Sequence, residues 1–505
     1  MYPDIEYGFK HPLTHEVAYR AQLTDPRGRI HAAVAQTIIE LDAGKLDERA
    51  PLIANHWESA GEALEAARWA RRAAEWVVSR DAAEAHRRWR QVRSLLEAAA
   101  DTPETRALTI LACMHILNLG IRMGIAPEET EAVFAQGRAL AERGGDKQGL
   151  ARLLANYGMA RGSAGDIPAA TAHIMEAMRL AQESGDVALQ VGVLITTVVW
   201  QLHGGALTDA QVLADRVIEL TRDDHTLGAA LVGFNSYVFA VFYRGVIRLA
   251  TGQLSAAQQD LDRAIELAQA QGDLELVAMA SGFYSLLGWF IGDPAMGVAR
   301  TRQAVDIAEK IGSPFARGQA YGFLGIVHVQ RGEWDAAISA LQNELTIARA
   351  NRTLLFVEAG SLAMLAQAYL GRGDYGEARA AAEQSVVVAR QRGSQLFECD
   401  GHMTLAQVLM HSEGTSARAA IADALAAAQR LIATTGAGSR APFLHLRRAE
   451  LAQLSGDRAL YERELRNASR LFSAMGATGH VARLREMLAA GTTDAARRAT
   501  EPEIQ

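Results

Sequence analysis

The stretch Leu324-Gly325-Ile326-Val327-His328-Val329-Gln330-Arg331-Gly332-Glu333-Trp334-Asp335-Ala336-Ala337-Ile338-Ser339-Ala340-Leu341 decides the fold. An apolar helical run ends at Gly332, a ring follows two residues later, and an alanine five residues later. Leu365-Ala366, Tyr369, Gly373, Tyr375 and Ala378 repeat the arrangement. Glycines that break apolar runs occur at Gly124, Gly165, Gly205, Gly252, Gly292, Gly332, Gly373, Gly414 and Gly456. Their spacings are 41, 40, 47, 40, 40, 41, 41 and 42 residues, so one insertion precedes Gly252. A second series lies half a period away, at Gly145, Gly185, Gly272, Gly312, Gly393, Gly436 and Gly476, with Asp224 and Asn351 standing in at its gaps. Two interleaved series of breakers mean two helices per repeat.

Turn chemistry agrees. Gly165-Asp166, Gly292-Asp293, Gly373-Asp374 and Gly456-Asp457 place a left-handed helix end before a capping carboxylate. Pro168 and Pro294 follow at first-turn positions. The fifth residue after the turn glycine is small at Ala170, Ala210, Ala257, Gly297, Ala337, Ala378 and Ala419, which lets the second helix pack closely on the first. Glu129 and Tyr461 break that rule, and Ile167, Leu207, Leu254, Trp334 and Tyr375 supply a wedge two residues after the glycine.

These residues together resemble the tetratricopeptide pattern over roughly residues 100–480, in a longer-helix variety with a period of about 40 against the usual ~34. The resemblance implies an all-α, right-handed superhelix (an α-solenoid) of helical hairpins. One hairpin cannot bury its apolar face, so neighbours stack into an extended array with an inner groove that binds peptides, helices or small ligands.

Composition supports this. The chain has 505 residues, 49% hydrophobic and 22% charged, with only 11 prolines, and strand-like alternation is nearly absent after residue 13. The net charge of −7 argues against nucleic acid as a partner. Cys113 and Cys399 make neither a disulfide framework nor a zinc site, and a reducing cytoplasm is the expected setting. Uncharged stretches at Val187–Thr208, Leu227–Tyr243 and Leu276–Gly292 fall at one phase of the repeat, so they read as buried first helices and no membrane partner is expected.

Residues 1–100 differ. Tyr7, Phe9 and His11 alternate like a short strand ending at Pro12-Leu13, Thr14 can cap a helix, and Asp25-Pro26 starts another that runs to about Leu41. Gly61 with Ala66 begins a helical hairpin. Phe9-Lys10-His11-Pro12-Leu13-Thr14-His15-Glu16-Val17-Ala18-Tyr19, then Leu23, Arg27, Arg29 and His31, resembles the segment after the ATPase module in bacterial adenylate/guanylate cyclase–AAA-like signalling proteins with C-terminal tetratricopeptide regions. Ala54-Asn55-His56-Trp57-Glu58-Ser59-Ala60-Gly61, with Ala67-Arg68-Trp69, is similar to that family's first hairpin, and ATP-dependent transcriptional activators share the architecture. The resemblance implies that residues 1–50 are the remnant of a winged-helix-like domain. Residues 51–100 are then first hairpins, 101–490 the repeat array and 491–505 a disordered tail.

The family's enzymatic parts do not carry over. Its phosphate loop is missing, because Gly44-Lys45 is followed by Leu46 and has Ile39 where the first glycine belongs. No nucleophile elbow appears, so the chain is expected to be non-catalytic, with no cofactor and no metal. His11 and His15, separated by Pro12, do not lie on one helix face as a zinc pair requires. Arg68, Arg71, Arg72, Arg80, Arg87, Arg88, Arg90 and Arg93 interleave with acids and read as a solvated, paired face, or as a contact for an ATPase domain through the first 100 residues. Aromatics gather between Phe234 and Phe323, mostly for packing, and Trp289 and Phe290 fall at inward phases. Arg244 and Arg248, one turn apart, are suited to receive a carboxylate or phosphate. The resulting expectation is a cytoplasmic sensor or scaffold region of a signalling ATPase or cyclase, binding a protein, peptide or small effector. A stand-alone adaptor and the regulatory part of a cyclase are the alternatives, and the chain is expected to be a fragment or the product of a late start codon.

Overall fold

The computed structural model describes residues 17, 19, 21, 23–78 and 80–500, with side chains as far as residue 489. All its regular elements are helical, and no strand occurs among the described residues. The strand expected at 7–13, His11 and His15 lie outside them.

Two compact units are present. One comprises residues up to 119 with 135–145, and the other 120–134 with 146 onward. The first contains α1 (Thr24–Leu41), α2 (Leu46–Ser59), α3 (Ala63–Val77) and α4 (Ala82–Leu95), each packed on the next. Ala66, Ala67, Ala70 and Ala74 of α3 are fully buried, and Trp89 is stacked on His115 at 4.2 Å between centroids. The arginine-rich face is paired as expected. Arg68 meets Glu104, Arg71 meets Glu75, Arg72 meets Asp47, and Arg88 meets Glu84.

Helices α5 (Pro103–Met123) and α6 (Pro127–Gly144) run through both units. The second unit then pairs α7 (Lys147–Ser163) with α8 (Ile167–Ser184), and α9 (Val187–Gly204) with α10 (Leu207–Leu220). After the short α11 (Ala229–Val232), α12 (Ser236–Thr251) pairs with α13 (Leu254–Gln271). A broken first helix, α14 (Leu274–Gly282) and α15 (Tyr284–Ile291), packs on α16 (Val298–Ile311). Regular hairpins follow: α17 (Pro314–Gln330) with α18 (Trp334–Asn351), and α19 (Glu358–Arg372) with α20 (Tyr375–Arg392). Next come α21 (Gln395–Ser412) with α22 (Arg418–Thr435), α23 (Ala441–Leu454) with α24 (Arg458–Met475), and finally α25 (Thr478–Thr500).

The rhythm of the sequence maps onto this order. Both glycine series adopt positive φ throughout, as left-handed helix ends require. Ala170, Ala210, Ala257, Ala337 and Ala378 are fully buried where the second helix crosses the first. Asp166 and Asp457 accept from the amides of Ala169 and Leu460, so these helices start at the expected caps.

Several positions depart from the reading. Asp374 makes no cap bond, because its carboxylate is drawn to Arg372. Asp293 accepts from Ala295 in a turn, and α16 starts only at Val298, so Pro294 precedes the helix. A Cβ on Gly297 would come within 2.8 Å of the Ser285 Cα, and this close approach takes the place of a regular hairpin crossing. Ala419 is exposed because a 3-10 turn at Gly414–Ala417 shifts the register, leaving Ala417 and Ile421 buried instead. At the gaps in the second series, Asn351 ends α18 and Arg352 takes the left-handed conformation (φ 52°). Asp224 lies in the insertion, whose left-handed residues are Gly228 and Gly233. The 227–243 stretch is therefore divided between α11 and α12. The last helix continues to Thr500 where a disordered tail was expected, on an alanine- and arginine-rich run of high helix propensity.

The array of the second unit is not extended. Donors about 190 to 230 positions later in the chain satisfy the free carbonyls at the ends of first helices. Thr353 Oγ1 donates to Ile121 O at 2.6 Å, Arg392 Nη1 to Ala164 O at 3.3 Å, Ser439 Oγ to Ala250 O at 2.8 Å, and His480 Nε2 to Trp289 O at 2.9 Å. The turn glycines are where the two runs meet. A Cβ on Gly124 would overlap the Asn351 carbonyl, and one on Gly165 the Arg392 guanidinium.

A two-part cavity lined by first helices

The first helices of the second unit turn their apolar faces inward around a chamber of about 220 Å³. Phe242 and Tyr243 on α12, Met279 on α14, Trp289 and Phe290 on α15, and Phe315 and Phe323 on α17 line it. Met364 on α19, Phe397 and Met403 on α21, and Phe443 on α23 line it as well. Aromatic rings interlock along the wall. Phe242 meets Phe283 edge-on at 5.4 Å and Phe283 lies 4.9 Å from Phe323. Gly282 makes this possible, since a Cβ there would overlap the Phe323 ring.

A second cavity, of about 530 Å³, adjoins the chamber and has more polar walls, including Gln330, His411, Arg447, Glu450, Gln453 and Arg483. Trp289, Gln367, Gln407, Phe443 and Arg447 line both, so they form the partition. Trp289 and Phe443 lie with ring centroids 6.3 Å apart and planes 22° from parallel.

The structure thus places Trp289 and Phe290 in the chamber wall. It places Arg244 and Arg248 elsewhere. Both bind Asp260, through Nη2–Oδ1 at 2.6 Å and Nη1–Oδ2 at 2.7 Å, and Arg244 also reaches Asp215 at 3.1 Å. The chain's own carboxylates occupy these arginines, and neither lines the chamber or the second cavity. This corrects the expectation that they receive a ligand anion.

Two polar features of the chamber lie outside the sequence expectations. Asp400 and Arg440 form a two-bonded pair at 2.8 Å each, with Arg440 buried. Glu344 on α18 is buried, and burial pushes its carboxyl up to about 8, opposed by the Ser361 hydroxyl. The signal for Glu344 was present. It interrupts the apolar stripe Ala337, Leu341, Leu345, Ala348 of the deciding stretch and its continuation. Burial also lowers His203, in the same wall, to about 3, so it is neutral. The free thiols Cys113 and Cys399 are buried; burial pushes both up, Cys113 to about 12. No cluster of metal-ligating side chains occurs among the described residues. Helices 103–123, 187–204 and 274–291 (the last broken near Phe283) are long and apolar enough to cross a membrane, and each packs more than half of that apolar stretch inside the structure.

A family profile for anaphase-promoting complex subunit 5 matches residues 146–201, 213–288, 320–359 and 355–398. No curated protein sequence matches the chain. Among solved structures, a Rap protein complexed with competence and sporulation factor is 14% identical, with a TM-score of 0.45 over 69% of this chain and 99% of that one. The Rap conjugation gene regulator of the plasmid pLS20, in complex with the Phr* peptide, is 12% identical, with a TM-score of 0.48 over 75% and 97%. A signal transduction ATPase with a tetratricopeptide repeat sensor from Pyrococcus horikoshii is 14% identical, with a TM-score of 0.38 over 96% and 68%. The chain is an all-α solenoid of helical hairpins with tetratricopeptide-like glycine turns.

Proposed function

We propose that this chain is a non-catalytic sensor or scaffold region that takes a peptide or a small effector between its first helices. The observation that carries the reading is the paired cavity. An apolar chamber adjoins a larger polar one across Trp289 and Phe443. Binding sites of this kind combine a mostly apolar wall with a few placed polar groups. A ligand spanning both parts would put an apolar end in the chamber and a polar segment beside Arg447 and Glu450. Because later hairpins cap the ends of earlier ones, occupancy would favour one arrangement of those contacts by differential affinity. In a signalling ATPase or cyclase of the kind the first hundred residues resemble, that arrangement is what the output domain would read.

The test is retention. The full chain is incubated with the low-mass fraction of a cell extract, desalted, and what stays bound is identified by mass spectrometry. Met364→Trp, which fills the chamber, serves as the control, and its melting temperature without ligand checks its fold. The expected result is a peptide or small molecule retained by the parent and lost from the variant. Equal retention by both would overturn the reading.

A further inference from the structure

We propose that the chamber is a binding site for a primary amine carried on an apolar body, with the Glu344 carboxylate receiving the ammonium group. The proposal rests on the reading that the interior takes ligands, and it states which chemistry the chamber selects.

Glu344 reaches inward from α18 past Gly322, where a Cβ would meet its carboxyl carbon at 2.6 Å. The residue is 4% exposed, and its Oε2 has no hydrogen-bond partner. Leaving a buried acceptor unsatisfied is costly, and more so once it is charged. An acid kept at that cost in the wall of an apolar cavity marks where a donor arrives with the ligand.

The other titratable groups around the chamber are already accounted for. Asp400 and Arg440 hold each other through two bonds of 2.8 Å. Arg447 binds both oxygens of Glu450 at 2.6 Å. Burial keeps His203 and the Tyr243 phenol neutral. Glu344 is thus the one acid of the lining that lacks a cation of its own among the described residues. An incoming ammonium would draw its proton off to solvent and form a charge-assisted pair in a low-dielectric wall. An anionic ligand would bury its charge in that wall without a cation, and a ligand lacking a donor would leave Oε2 unpartnered.

Size narrows the class. A dry cavity of about 150 Å³ holds benzene, so 220 Å³ accommodates one ring with a short alkyl arm. The apolar body packs among Phe323, Phe397 and Met403.

The experiment is titration calorimetry on the full chain at pH 7, in two buffers of different ionisation enthalpy. The probes are 2-phenylethylamine and, as a neutral ring, benzyl alcohol. The parent is compared with Glu344→Gln, which keeps the shape, and Glu344→Leu, which keeps the volume. The amine is expected to bind the parent with release of about one proton. Binding should weaken roughly 10- to 100-fold in both variants, with the proton release gone. Benzyl alcohol, which pairs only as a neutral group, should change far less than the amine and release no proton. Equal amine affinity in parent and Glu344→Gln would overturn the proposal. Benzyl alcohol binding without any preference for the amine would overturn it too, while leaving the interior-binding reading intact. Failure of both probes would count against both.

Discussion

Hairpin α17–α18 and the loop that follows it, residues 352–357, are neighbours in the chain and obey different rules. The hairpin answers to local chemistry. Ser313 caps it by accepting from the Ala316 amide at 3.2 Å, Gly332 turns it at φ 70°, and Ala337 lets its helices close. The loop answers to residues far away. Thr353 donates to Ile121, and the Leu355 amide donates to Ser163 O at 2.9 Å. To make those bonds the backbone holds Arg352 at φ 52° and Leu354 at φ 57°, a region that residues other than glycine seldom occupy. Leu354, Phe356 and Val357 then complete the chamber wall. Regular repeats build the first helices, and long-range contact closes the space between them.

The largest effect expected comes from the one residue of the hairpin that breaks its apolar pattern. Glu344 holds its proton in the folded chain up to about pH 8, whereas the unfolded chain releases it near 4.5. Between those values the folded state carries the extra proton, so stability falls as pH rises from about 4.5 to about 8 and levels off above. At 1.36 kcal/mol per unit the loss is at most about 5 kcal/mol. Buried neutral histidines oppose it. His203 is lowered to about 3 and His86, His115 and His480 to about 4, and their contribution fades as pH falls below 6.5. Comparing the parent with Glu344→Gln isolates the acid. The variant should gain on the parent progressively from pH 5 to pH 8 in urea unfolding. A constant difference across that range would mean that the carboxyl is solvated and that the hairpin is as ordinary as its pattern.

The loop supplies the second prediction. Thr353→Val keeps the shape and removes the donor to Ile121, leaving a carbonyl and the Ser163 hydroxyl without it. A loss of about 1–3 kcal/mol is expected in the same unfolding experiment. No change would show that the cap is dispensable, and the contrast between local and distant rules would lose its main support.

These two residues also show how far the sequence could be read. Every turn glycine, the buried alanines five residues on, and the inward phase of Trp289 and Phe290 follow from patterns within one repeat. The pairing of Thr353 with Ile121, or of Ser439 with Ala250, joins positions 232 and 189 apart. No local period encodes it, so the repeat pattern by itself predicts an open array with a groove. The same limit applies to Arg244 and Arg248. Their spacing matches an anion site, but Asp260 and Asp215 reach them only once the helices pack. Ala419 failed because an inserted 3-10 turn shifts the register without altering the glycine count.

The smallest effect expected separates strain from contact within the loop itself. Arg352 is exposed, so replacing it leaves the chamber wall and the Thr353 cap untouched. Arg352→Gly relieves a left-handed conformation that costs about 1–2 kcal/mol for an L-residue, and returns part of that as unfolded-chain entropy. A net gain of up to about 1 kcal/mol is expected in the urea midpoint. A loss instead would mean that the arginine side chain contributes more than its backbone costs. The positive φ would then be a choice made by Arg352 rather than one imposed by the distant bonds of Thr353 and Leu355.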